Sequence, residues 1–156
     1  MAKSWVDGGP VPVESCAVSN RIRALRGATT VERDVPEHID ERVQELIREM
    51  LARNALDESQ LISLLFSATP DVRSRNPATS ARALGLHDVP LLGLQEMGID
   101  GMLGLCVRVM MHLEWDRPRG ELRHVFLHGA GVLRPDLADP DAAARVEPDV
   151  SEPGQS

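Results

Sequence analysis

The sequence predicts an α+β fold built on a mixed β-sheet, with helices packed on one face. Three observations carry that prediction. In Cys106–Trp115, Val107, Val109, Met111, Leu113 and Trp115 fall on one side, and Arg108, Met110, His112 and Glu114 on the other. That is the period-two signature of a strand with one face in a core. In Glu37–Asn54, Ile39, Val43, Leu46, Ile47, Met50 and Leu51 instead recur at helical spacing, giving a helix whose single apolar stripe suits it to lie on a sheet. The elements then read strand, helix, strand, helix and three strands, an order that suits helices gathered on one side of a mixed sheet.

Taken in order, Arg21–Thr30 is the first predicted strand. Pro36 suits the first turn of the long helix, where its missing N–H costs nothing. Asp34 and Glu37 have the spacing of a capping box. Leu61–Ala68 is a continuous apolar run of strand length, predicted to be buried. Asn76 reads as an N-cap, Pro77 as the first residue and Gly85 as the stop of a short Ala-rich helix. Val89–Gly93 is predicted as a short strand, Asp116–Gly120 as a turn rich in Pro and Gly, and Arg123–Leu127 as the last strand.

The chain has 156 residues, one domain's worth and enough for one core. Its only aromatics are two Trp and two Phe, too few for a platform that stacks single-stranded nucleic acid. The net charge of -7 disfavours nucleic acid and anionic membranes as partners. Much of that excess follows Pro135, in Asp136, Asp139, Asp141, Glu147, Asp149 and Glu152 against Arg145 alone. The rest is near balance, which leaves room for a local cationic pocket. Cys16 and Cys106 match no metal or redox spacing, and a reduced, cytoplasmic protein is expected. No apolar run approaches the roughly 18 residues of a membrane span, and the first residues lack the pattern of a secretory signal. Residues 1–20 read as a flexible extension and 138–156 as a disordered acidic tail. The structured unit is then 21–137.

The hydrolytic, nucleotide and metal templates are absent: there is no GxSxG, HExxH, CxxC or P-loop. No metal ligands and no cofactor are predicted. The histidines at 38, 87, 112, 124 and 128 form no pair at helical metal spacing. His112 and His124, on predicted strands, are expected to be structural. What stands out is arginine at structured positions: Arg26 at the end of an apolar strand segment, Arg108 in mid-strand, and Arg134 between Leu133 and Pro135. A buried guanidinium must satisfy its fork of donors, and Glu96, just after a strand, is the obvious internal partner. Structural ion pairs would explain this pattern, and so would a pocket for a dicarboxylate.

Several segments in register resemble one family. Arg23-Ala-Leu-Arg26-Gly-Ala-Thr-Thr-Val-Glu-Arg-Asp34 is similar to the opening of the monofunctional chorismate mutases of the AroH class. Phe66-Ser-Ala-Thr-Pro-Asp-Val72 resembles their second strand and following loop. Val89-Pro-Leu-Leu-Gly-Leu-Gln95-Glu96-Met97 and Cys106-Val-Arg108-Val-Met-Met111 resemble the middle of the pattern. Arg123-His-Val-Phe-Leu127 and Val132-Leu-Arg134-Pro-Asp-Leu137 resemble its end. The resemblance runs over about 22–137.

The resemblance implies a homotrimer with a pseudo-α/β barrel at its centre and active sites between adjacent subunits. It implies rearrangement of chorismate to prephenate, with no cofactor and no covalent intermediate, in aromatic amino acid biosynthesis. By position, Arg108 would donate to the ether oxygen as its bond to carbon breaks, and Glu96 would accept from the ring hydroxyl. Arg26 and Arg134 would bind the carboxylates, with Arg134 on a mobile C-terminal segment. Arg82 would line the entrance, and the backbone of Leu92, Gly93, Leu94 and Gln95 the ring pocket, with Asn76, Ala78, Thr79, Phe126 and Leu133 also in contact with substrate. The chain departs from the pattern at four of these positions. The family's pocket phenylalanine falls on Asn76, its lysine on Thr79, its cysteine on Gly93 and its tyrosine on Phe126, and one residue is deleted near Gly85–Asp88. The alternatives are a different activity on chorismate or a close relative, or a family member that only binds a ligand.

Overall fold

Residues 21–136 are described by a computed structural model. The extension expected over 1–20 and the acidic tail expected over 138–156 lie outside the described residues, as does Leu137. The alternation of Cys106–Trp115 produces a strand with two faces at the centre of a five-stranded sheet. The elements are β1 (Arg21–Thr30), α1 (Pro36–Asn54), β2 (Leu61–Ala68), α2 (Pro77–Arg82), β3 (Leu91–Gln95), β4 (Cys106–Trp115) and β5 (Val125–Phe126). The sheet order is β3-β2-β4-β1-β5. β4 runs antiparallel to β1 and β2, while β1–β5 and β2–β3 are parallel, so the sheet is mixed as predicted.

The core lies between the sheet and α1. Ile39, Val43, Leu46, Ile47 and Met50 of α1 are fully buried, as are Val107, Met111 and Leu113 of β4. Each such side chain contributes about 1.5–3 kcal/mol by leaving water. Gly27 lets the helix close on β1: a Cβ there would meet Met50 Sδ and lie 3.1 Å from Val109 Cγ1. The opposite face carries no α-helix among the described residues. It displays Ile22 at 66%, Leu92 and Leu94 each at 52%, and Met110 at 36% exposure.

Three local expectations are corrected. Asp34 forms no capping box. The N-cap of α1 is Val35, without a side-chain bond. Asp34 Oδ1 instead accepts from the N–H groups of Arg73 and Ser74, both at 3.0 Å, and from Ser74 Oγ at 2.8 Å. Three donors from the β2–α2 loop outcompete one helix N–H, and the loop is pinned to the start of α1. β3 begins two residues later than Val89, because Pro90 has no N–H to give. Its carbonyl accepts from Leu64 N at 3.0 Å and so opens the ladder. β5 shrinks to Val125–Phe126, since the backbone of Arg123 is taken elsewhere. Its N–H donates to Asn54 Oδ1 at 2.8 Å, and its carbonyl accepts from Asn54 Nδ2 at 3.0 Å.

Gly85 does act as the stop after α2. The helix ends at Arg82, and the following turn reaches Gly85 at φ +100°, where glycine carries no steric cost.

Candidate active site

The register of the sheet brings the central charges together. Arg108 on β4 faces Ala28 of β1 and Ser67 of β2, so its side chain emerges on the face without an α-helix. Glu96 follows β3 and is fixed by its N–H bond to Ala68 O at 2.9 Å. Arg108 Nη1 then lies 3.4 Å from Glu96 Oε2, with the two side chains 19% and 17% exposed. Ser67 Oγ donates to Glu96 Oε1 at 2.5 Å. Arg108 Nε is buried and has no partner among the described residues. A buried orphan donor on a partly buried guanidinium is costly, and here it is held ready for an acceptor that the described residues do not supply. Burial raises the pKa of the neighbouring Cys106 thiol despite a side-chain hydrogen bond with Arg108 and the charge of that arginine, which keeps Cys106 a neutral neighbour.

A cavity of about 520 Å³, with neither Arg108 nor Glu96 in its lining, is lined in part by Ala68, Asn76, Gly93, Leu94 and Gln95 and by two arginines, Arg73 and Arg75. Asn76 caps α2, its Oδ1 accepting from Ala78 N at 2.9 Å. A Cβ on Gly93 would stand 2.7 Å from that same Oδ1, so glycine at 93 makes room for the Asn76 amide. Of the other predicted pocket residues, Ala78 is half-buried, packed against the core. Thr79, Arg82 and Leu92 are exposed and do not line this cavity.

The remaining predicted residues gather toward the opposite edge. Arg26 lies on β1 beside Met110 of β4. Phe126, Ala28 and Ala130 form a small second core, with Leu133 packed on it. Arg134 follows, its fork closed on Asp136 by bonds of 2.9 and 2.7 Å. Four strand intervals separate β3 from β5, roughly 19 Å at about 4.8 Å each. One chain therefore unites Arg108 with Glu96, but it does not bring the Asn76–Gly93 cavity to Phe126 and Arg134. Among the described residues no group of three His, Cys, Asp or Glu side chains is arranged to hold a metal.

A sequence model of the family Chorismate mutase type I matches residues 22–137. The chain belongs to the type I chorismate mutases. These are isomerases, and the likeness extends to individual members. The chorismate mutase AroH of Bacillus subtilis (strain 168) is 42% identical over 118 residues, 75% of this chain and 93% of that protein. The AroH of Thermus thermophilus is 41% identical over 117 residues, 74% of this chain and 96% of its own. Among solved structures, a chorismate mutase from Clostridium thermocellum superposes with a TM-score of 0.69 at 38% identity, covering 70% of this chain and 98% of that one.

Four residues around this candidate site were not singled out by the sequence pattern. Ser67, the donor to Glu96, was hidden inside a run read as uniformly apolar. The alternation of Ser63, Leu65 and Ser67 against Leu64, Phe66 and Ala68 carried the signal for it. Arg73 and Arg75 follow β2 in a loop whose path depends on Asp34, a contact spanning about 40 positions that no local pattern reports. His124, expected to be structural, has a partner of direct interest, Arg26.

Proposed function

We propose that the chain rearranges chorismate to prephenate by holding the dianion folded against Arg108 and Glu96. In this step the ether C–O bond breaks as a C–C bond forms, and no proton or electron enters or leaves. Nothing in it calls for a cofactor. Negative charge grows on the ether oxygen. A fixed donor aimed there stabilises the transition state more than the ground state, which is the condition for raising turnover. Arg108 is that donor, and Glu96 accepts from the ring hydroxyl. Arg26 and Arg134 hold the carboxylates, and Arg134 exchanges Asp136 for substrate. Arg82 stands at the entrance. The pocket residues Asn76, Ala78, Thr79, Leu92, Gly93, Leu94, Gln95, Phe126 and Leu133 enclose the ring and side chain. The observation that carries this reading is the buried, unpartnered Nε of Arg108 beside Glu96. Two named mutases at over 40% identity disfavour both a changed activity and a merely ligand-binding role.

The working unit of this reading is a homotrimer. Its support is the separation of the two half-sites across the sheet, together with an uncovered face bearing Ile22, Leu92, Leu94 and Met110. The unit spans 21–137 and works in the cytoplasm; among the described residues no helix is long and apolar enough to cross a membrane. The test is direct. Purified protein is mixed with chorismate, the loss of absorbance is followed, and the product is identified by chromatography, with light scattering on the same sample. Prephenate formed at an unchanged rate in strong chelator, by a species of three chains, is expected. No rate above the uncatalysed reaction would refute the activity, and a monomer at micromolar concentration would refute the trimer.

A further inference from the structure

β1 and β5 pair in parallel only through Gly27 with Val125 and Ala28 with Phe126. One step earlier, a parallel ladder would send the N–H of Arg26 to the carbonyl of Arg123. Here the ladder has already ended, and that carbonyl accepts from Asn54 Nδ2 at 3.0 Å instead. The N–H of Arg26 would be left without a backbone acceptor, at the residue whose guanidinium is read as gripping a carboxylate. His124 fills the gap: its ring Nδ1 lies 3.0 Å from Arg26 N. A ring nitrogen that accepts carries no proton, so the proton of this imidazole sits on Nε2 and the ring is neutral.

The surroundings enforce that state. Val125 turns into the main core and Phe126 packs with Ala28 on the other side, so by alternation His124 shares the face of Arg26 and Phe126. The charged groups that act on it are Arg134 after the last turn, Arg26 on β1 and Arg119 before β5. Burial first, and then these three cations, hold its pKa below the ordinary histidine value. Among the described residues no carboxylate acts on it to offset them.

We infer that His124 is a positioning residue for Arg26: its neutral ring, accepting through Nδ1, fixes the stretch of β1 from which the Arg26 guanidinium reaches the substrate carboxylate. This rests on the reading in which the chain is a chorismate mutase and Arg26 binds a carboxylate. Protonation turns the acceptor into a second donor facing Arg26 N, and the tether is lost.

The experiment compares His124→Ala, His124→Phe and His124→Asn with wild type. Phenylalanine restores ring volume without an acceptor. Asparagine returns an acceptor oxygen at the same distance along the side chain and does not titrate. For the Ala and Phe variants at pH 7.5, KM for chorismate is expected to rise about tenfold, equivalent to about 1.4 kcal/mol, with kcat within about threefold. The Asn variant is expected to stay within about twofold of wild type. As pH falls below about 6.5, the ordinary histidine value, KM rises in wild type but not in the Asn variant. Exchange of the Arg26 amide with solvent, followed by NMR, is slow in wild type and the Asn variant and fast in the other two. Circular dichroism melting checks that each variant is folded.

A His124→Phe protein with normal KM would overturn the inference, because packing alone would then suffice. So would a KM that falls with acid, since the ring would then serve as a further cation. Wild type that leaves chorismate unchanged would instead remove the mutase reading, and the tether would be decided by amide exchange alone. Equal exchange in wild type and His124→Phe would then refute it.

Discussion

Replacing Arg108 by lysine tests the chemistry most sharply. The guanidinium does two things at once: Nη1 lies 3.4 Å from Glu96, and Nε remains as a buried donor without a partner. Lysine keeps the charge beside Glu96 but offers one rotatable ammonium in place of a planar fork. It can neutralise the carboxylate or donate to the ether oxygen, but it cannot do both in a fixed geometry. Loss of one preorganised donor typically costs ~2.7–4 kcal/mol, a factor of about 10²–10³ in kcat. That drop is expected for Arg108→Lys, with KM within a few-fold and little change in melting temperature. Arg108→Ala is expected to be less active and also less stable. It leaves the partly buried Glu96 with Ser67 as its side-chain donor among the described residues, and breaking a buried pair costs ~3–5 kcal/mol. The pair retains some exposure, which places the loss near the lower end, about 3 kcal/mol. Glu96→Gln in the Arg108→Ala background should recover stability and no activity. Chorismate absorbance gives kcat and KM, and circular dichroism gives the melting temperature. A folded Arg108→Lys protein within about threefold of wild-type kcat, under ~1 kcal/mol in barrier, would refute the assignment of Arg108 to the breaking bond.

Three further outcomes follow from the geometry. Gly27→Ala pushes a methyl into Met50 Sδ and toward Val109 and Leu46; overpacking of this kind costs ~1–3 kcal/mol. The melting temperature should fall by at least about 4 °C, and an unchanged value would show that α1 is not seated so closely on β1. Burial opposes ionisation of Glu32, yet Arg42 and His38 bind it and its pKa is lowered from 4.5 to about 2. A depressed carboxyl stabilises the fold above its unfolded value and loses that effect as pH falls toward 2. Because Glu32 is largely exposed, the contribution is at most ~1 kcal/mol. The stability gap between wild type and Glu32→Gln should close between pH 4.5 and about 2, and a gap that persists at pH 2 in thermal melts would contradict this. Asp136→Ala frees the Arg134 fork from its internal carboxylate. KM for chorismate should drop about two- to threefold with kcat unchanged, as expected for a weak exposed ion pair, and a raised KM would mean that Asp136 aids binding.

What was legible in the sequence was whatever repeats at short range. The alternation of β4 placed Arg108 opposite the core row, and the stripe of α1 named the helix that covers the sheet. The in-register segments identified the family and so aligned Glu96 with Arg108. What escaped depends on side chains that replace backbone partners. Asp34 looked like a cap because its spacing to Glu37 is right, and only the fold brings the donors of Arg73 and Ser74 to it. Arg123 looked like strand, and only the end of α1 brings Asn54 to its backbone. His124 sits on the face that alternation would assign it. Its bond to Arg26 spans 98 positions and stands where the short β1–β5 ladder has ended.

The position of β4 has a consequence for how such an enzyme changes over time. β4 has hydrogen-bonded neighbours on both sides, whereas β3 and β5 form the margins of the sheet. Amides on a strand flanked twice open only with large cooperative units, and those on margins open in small local events. Arg108 therefore rides on one of the three inner strands, β2, β4 and β1, whose amides are expected to exchange slowly. Asn76, Gly93, Phe126 and Arg134, which would decide what shape of anion is accepted, stand on or beside the margins. Under the proposed mechanism, substitutions there would alter grip without disturbing the placement of Arg108. The division between an anchored centre and adjustable margins gives this fold room to drift in substrate preference while its reaction stays the same.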